Sequence, residues 1–146
     1  MMTIDEVYFT KSFIKDLKGI KKSHKSITKD FDRFLKSLLD AEQSYGAVRV
    51  SNLGENYSNT PVWKVKAFRC SEMKGKGNRS GFRIIYIEYD KSLIFVQFYY
   101  KDSDRTNHDS RLIKDTLDRL YDGRLCEMVK YTGNSSDVLL SKSIDS

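Results

Sequence analysis

Lys64 and Lys66 stand two residues apart in the run Val62-Trp63-Lys64-Val65-Lys66, so in an extended chain both side chains leave the same face. Two ammonium groups on one face raise each other's cost of carrying charge. That lowers the proton affinity of one and fits it to act as a general base. Arg83 offers a planar fork of donors that does not lose its proton, the group for stabilising charge on a phosphate. His108, or a tyrosine at 99 or 100, can give a proton to a leaving group. Base, fixed cation and acid together suit chemistry at a phosphate. Each also has a plainer use. A Lys-x-Lys pair is commonly a solvated face, and Arg83 can pair with Glu88 or Asp90. His108 lies in Asn107-His108-Asp109-Ser110, where helix capping by Asn107 or Asp109 is the commoner role.

The charge around these residues is unevenly spread. Between Pro61 and Arg83 stand seven basic residues (Lys64, Lys66, Arg69, Lys74, Lys76, Arg79 and Arg83) and one acid, Glu72. That segment accounts for the whole formal net charge of +6, a local surplus that reads as a footprint for a polyanion. Other classes recede. Mean hydropathy is −0.57, and no apolar run is long enough to span a membrane. The start, MMTIDEVYFTKSF, has acids and no apolar stretch, so a secretory signal is not expected and a cytoplasmic protein is. Cys70 and Cys126 lie far apart outside any CxxC pair and read as two reduced thiols, small hydrophobes with no neighbouring His to activate them. With two histidines in the chain no metal site is expected, and no cofactor.

The elements that must position these groups follow from periodicity. Asp5 to Thr10 is short and β-prone. Phe13, Ile14, Leu17 and Ile20, then Ile27, Phe31, Phe34, Leu35, Leu38 and Leu39, recur at helical spacing and predict a helical hairpin across 11–40. Thr10 or Ser12 can cap the first helix, and Ser26 or Thr28 the second. An irregular stretch with a short strand at Ala47–Val50 leads to period two from Val62 to Phe68, with Trp63, Val65 and Ala67 on one face. A polar glycine-containing turn follows. FRIIYIEY (82–89) and LIFVQFYY (93–100) are strong strands joined by a tight turn. Helical spacing returns over Asp109–Tyr121 and stops at Gly123. Trp63 and Tyr86 read as core. The order β-α-α-β-β-β-α predicts an α+β fold, helices packed on one face of a small antiparallel sheet. It predicts a domain at 1–125 and a polar tail at 126–146, flexible or ordered by a partner.

That order, with three strings, resembles the RelE/ParE superfamily of type II toxins, its RelE/HigB-like branch in particular. The strings are Trp63-Lys64-Val65-Lys66, Gly81-Phe82-Arg83-Ile84-Ile85-Tyr86 and Tyr99-Tyr100-Lys101-Asp102-Ser103-Asp104, and the turn Gly75–Gly81 is also similar. The likeness spans roughly residues 5 to 121. It implies a RelE-like fold and an endoribonuclease that cuts mRNA, as in the ribosomal A site, by attack of a 2′-OH without a metal. It also implies a cognate antitoxin, with mRNA and the ribosome as further partners. Lys64, Lys66 and Arg83 then match the family's catalytic basic positions, and His108 sits near where such enzymes place a Tyr or His by the final helix, which makes it the fourth catalytic candidate. Lys101 falls on the basic position closing the last strand, and Arg69, Lys74, Lys76, Arg79 and Arg105 are candidate RNA contacts. An arginine usual in the family just after Lys101 is Asp102 here, and Arg105 is its candidate substitute. Two other functions compete: a ParE-like inhibitor of gyrase, and an inactive binding module on the same fold. The helical stripes, Phe31 to Leu39, would suit an antitoxin helix, with core as the default reading.

Overall fold

The structure is a computed structural model that describes residues 4–40, 47–77, 80–102 and 107–140, the Cys126 side chain excepted. The candidate RNA contacts Arg79 and Arg105 lie outside the described residues. The elements are β1 (Glu6–Phe9), α1 (Lys11–Lys21), α2 (Ile27–Asp40), β2 (Val48–Arg49), β3 (Val62–Val65), β4 (Phe82–Tyr89), β5 (Ser92–Tyr100), α3 (Ser110–Tyr121), β6 (Val129–Lys130) and α4 (Ser135–Leu139). This is a mixed α+β architecture with one six-stranded sheet, in the order β2-β3-β4-β5-β1-β6.

Local chemistry accounts for the boundaries. Thr10 caps α1, its hydroxyl oxygen accepting from the Phe13 amide at 3.2 Å. Ser26 stands just before α2 and donates its hydroxyl to the buried Asp30 carboxylate at 2.9 Å. The β4–β5 hairpin closes through Asp90 and Lys91, both at positive φ (48° and 62°), the handedness that a two-residue hairpin turn requires. Asp109 caps α3, accepting from the Leu112 amide at 3.1 Å.

The sheet is covered on both faces, which corrects the expectation of helices on one. Alternate residues of β4 and β5 (Ile84, Tyr86, Leu93, Phe95) join the layer under α1 and α2. Their neighbours Ile85, Ile87, Ile94 and Val96 pack against Ile113, Leu117 and Leu120 of α3. Strands that are apolar at nearly every position have no face to give to water, so each face takes a helix. The hairpin layer is rich in aromatic contacts, with Phe9, Phe13 and Phe31 around Phe95 at ring-centroid distances of 5.1 to 6.0 Å. Phe31, Phe34 and Leu35 are buried there and Leu38 packs against them, so that part of the α2 stripe is core, while Leu39 is exposed. Trp63 and Tyr86 pack in the same layer, as does the buried Cys70; burial also pushes the Cys70 thiol up.

The sheet is not wholly antiparallel either. β1 runs parallel to β5, with Val7 opposite Leu93 and Phe9 opposite Phe95. A helical hairpin leaving β1 returns the chain to the far side of the sheet, and that connection permits a parallel pair. The segment expected as a polar tail is described as far as residue 140. β6 pairs antiparallel with β1, and α4 packs beside α2 with Ser135 and Val138 buried. Asp32 ties this segment down, accepting from the Tyr131 hydroxyl at 3.1 Å and the Ser135 amide at 3.0 Å. Over 129–139 the chain is thus part of the domain. Its few apolar anchors (Val129, Tyr131, Val138) are too sparse to show a period.

Candidate functional site

Three strands and one turn bring the chemistry-bearing residues together. In the β3–β4–β5 register, Lys64 lies opposite Ile85, Ile85 opposite Gln97, and Arg83 opposite Tyr99. The register shifts at Ile85/Tyr86, and Val96 is the extra residue of a β-bulge. The bulge turns Val96 and Gln97 to the same face. Lys64, Arg83 and Gln97 accordingly sit on the α3 side of the sheet, at the end where the chain enters α3. Lys101, one residue past β5, joins them.

The grouping is electrostatically costly. Lys64 is half-buried, and its amine is held below the usual lysine range by burial first, then by Lys66, Arg83 and Lys101. His108 is also lowered, by burial and then by Lys64, with Asp109 opposing. Lys66, Arg83 and Lys101 thus act on Lys64, and Lys64 on His108, a cationic group with an imidazole at its edge. The Lys64 amine donates to Asn107 Oδ1 at 2.9 Å. Arg83 uses Nη1 on two main-chain carbonyls, Phe82 O at 3.2 Å and Lys66 O at 3.4 Å. Pairing of Arg83 with Glu88 or Asp90 is not what the fold does, since both stand at the far end of β4.

Other expected residues fall elsewhere. Lys66 lies one residue beyond β3, which ends at Val65 rather than running to Phe68; it is exposed and no ladder fixes its side chain. Arg69, Lys74 and Lys76 are exposed as well, and none of them is among the charges that act on Lys64. Lys74 and Lys76 ride on a loop anchored to the start of α2, where Ser71 N–H donates to Asp30 Oδ2 at 2.9 Å and Glu72 Oε1 accepts from Ser26 N–H at 2.6 Å. The candidate acids Tyr99 and Tyr100 part company. Tyr99 is buried under α3, whereas Tyr100 points to the hairpin face, its ring at 5.3 Å from that of Phe82. Of the three candidate acids, His108 is the one on which the Lys64 charge acts.

Two residues of the site were not read from the sequence as part of it. Gln97 is fully buried, and its Oε1 accepts from the Asp109 amide at 2.9 Å. Its Nε2 and the His108 Nδ1 are both buried without a hydrogen-bond partner among the described residues. The signal for Gln97 was a single amide in the otherwise apolar run LIFVQFYY. Asn107 had been weighed only as a helix cap, a role that Asp109 takes.

Among the described residues no helix is long and apolar enough to cross a membrane, and no group of three His, Cys, Asp or Glu residues is placed to hold a metal. Comparison of the chain with family models, with curated proteins and with solved structures gives no match.

Proposed function

We propose that this chain is a metal-independent endoribonuclease of the RelE/ParE toxin type, acting on mRNA and restrained by an antitoxin. The observation that carries the reading is the gathering of Lys64, Arg83 and Lys101 at the end of the sheet that leads into α3, with the charge of exposed Lys66 also acting on Lys64, and a half-buried lysine of lowered proton affinity beside a histidine. Among the described residues the charges acting on Lys64 are the three cations Lys66, Arg83 and Lys101, and gathering like charges costs the fold stability. Such a cluster is relieved by an anionic ligand.

In the proposed reaction Lys64, as the free amine, takes the proton of the 2′-OH. The 2′ oxygen attacks phosphorus, the bond to the 5′ oxygen breaks, and a 2′,3′-cyclic phosphate forms. Arg83, Lys66 and Lys101 surround the non-bridging oxygens as negative charge grows on them. His108 in its protonated form gives the departing 5′ oxygen its proton.

The test is induction in bacteria of the wild type beside Lys64→Ala/Lys66→Ala and Arg83→Ala, with primer extension on abundant transcripts. New RNA ends that disappear in both variants, together with a loss of about 10²- to 10⁴-fold in cleavage by the purified proteins, are the expected result. Growth arrest without new ends would point instead to gyrase or another protein target. A folded, well-expressed protein that arrests nothing would leave a binding module.

A further inference from the structure

We propose that Asn107 is a positioning residue that seats the Lys64 amine for proton abstraction and ties it to the turn carrying His108; this rests on the endoribonuclease reading above. Three observations support it. The Asn107 side chain does not cap α3, because Asp109 does. Its Oδ1 instead accepts two hydrogen bonds, from Lys64 Nζ at 2.9 Å and from the His108 amide at 2.9 Å, which uses both lone pairs of the carbonyl. The turn behind it is pinned from below, where buried Gln97 accepts from the Asp109 amide. One oxygen thereby ties the amine of the candidate base on β3 to the main chain of the residue that carries the candidate acid.

The residue type matters as much as the contact. Among the described residues the charges acting on Lys64 are Lys66 from just past β3, Arg83 from β4 and Lys101 from just past β5. On the turn stand His108, which Lys64 perturbs, and Asp109, which acts on His108. An amine among cations would swing away into water unless something held it. A carboxylate at 107 would hold it and also stabilise its ammonium form, which cannot accept a proton. A carboxamide holds it with no net charge. Asparagine thus reconciles two demands on Lys64, a fixed position and a free lone pair.

The experiment titrates Lys64 directly by NMR in protein carrying ¹³C at lysine Cε, the resonance being assigned by its loss in Lys64→Arg. Asn107→Asp is nearly isosteric and is expected to raise the Lys64 midpoint. It should also lower cleavage at pH 7 about tenfold, with recovery as pH rises. Asn107→Ala is expected to lower kcat about tenfold with KM little changed, thermal unfolding confirming that both variants are folded. A Lys64 midpoint that Asn107→Asp leaves in place, or an Asn107→Ala protein that cleaves like wild type, would overturn the proposal. A wild type that cuts no RNA, but whose Lys64 midpoint still rises in Asn107→Asp, would sink the nuclease reading and keep Asn107 as the residue that seats Lys64.

Discussion

Gly81 lies directly against the ring of Tyr100: a Cβ added at 81 would come within 2.9 Å of the ring carbon Cε1. The residue also has φ of +93°, a region that L side chains rarely adopt. Both facts demand glycine where the chain enters β4 ahead of Arg83. Gly81→Ala is therefore expected to destabilise the fold by about 2 kcal/mol, read as a lower urea midpoint at unchanged slope. Gly81→Ala combined with Tyr100→Ala should recover part of the loss by removing the clash, while the φ penalty stays. Equal stability of single and double variants would show that the ring contact is unimportant.

Asp30 joins α2 to the basic loop from beneath, accepting from Ser71 N–H and Ser26 Oγ while itself buried. Asp30→Ala leaves a main-chain amide without its partner, at a cost of about 2 kcal/mol. The loop should loosen before the domain unfolds. Trypsin is then expected to cut at Lys74 or Lys76 faster in the variant, under conditions where the rest of the chain resists. Unchanged cleavage at those two lysines would mean the loop is fixed by other contacts.

His108 gives the stability a pH dependence of definite sign. Its folded-state pKa lies below the ordinary histidine value of 6.5, so between the two the unfolded chain binds more protons than the folded one. Stability therefore rises with pH through that window, and its benefit is complete above 6.5. Urea titrations across mildly acidic pH should show wild type losing stability on acidification. His108→Gln should flatten the slope, and an identical slope in the variant would assign the dependence to another group.

The field on Lys64 has an internal order, with Lys66 acting most strongly among the cations, then Arg83 and Lys101. Removing a neighbouring positive charge must raise the proton affinity of the amine. Lys66→Gln is thus expected to raise the Lys64 midpoint more than Lys101→Gln does. The reverse ranking would place the Lys66 side chain away from the cluster.

What could be read in advance was what depends on neighbours in sequence. The hairpin 11–40 showed itself through Phe13, Leu17, Phe31 and Leu35, and the β4–β5 pair through its tight turn. The turn by itself would set Arg83 opposite Phe98, and only the bulge at Ile85/Tyr86 moves it to Tyr99, so the turn brings Arg83 near the end of β5 without fixing its partner. Long-range choices were not legible. Nothing near β1 in sequence states that it runs parallel to β5. The apolar runs in β4 and β5 suit strands buried on two faces, but they name no helix to cover the second one. Gln97 changed face through a bulge that pattern alone does not reveal, and Asn107 had two plausible uses that only its contacts to Lys64 and His108 separate.

The seating of β1 between β5 and β6 has a consequence for how the chain is made. Glu6 to Phe9 leave the ribosome early, yet one edge waits for Ser92–Phe95 and the other for Val129–Lys130. Until then Val7 and Phe9, both core residues, have no sheet to enter. Pairings this distant in sequence also close slowly. The nascent chain is thus expected to complete its sheet only after residue 130 has emerged, so any activity of the Lys64 cluster arrives late in synthesis rather than growing with the chain.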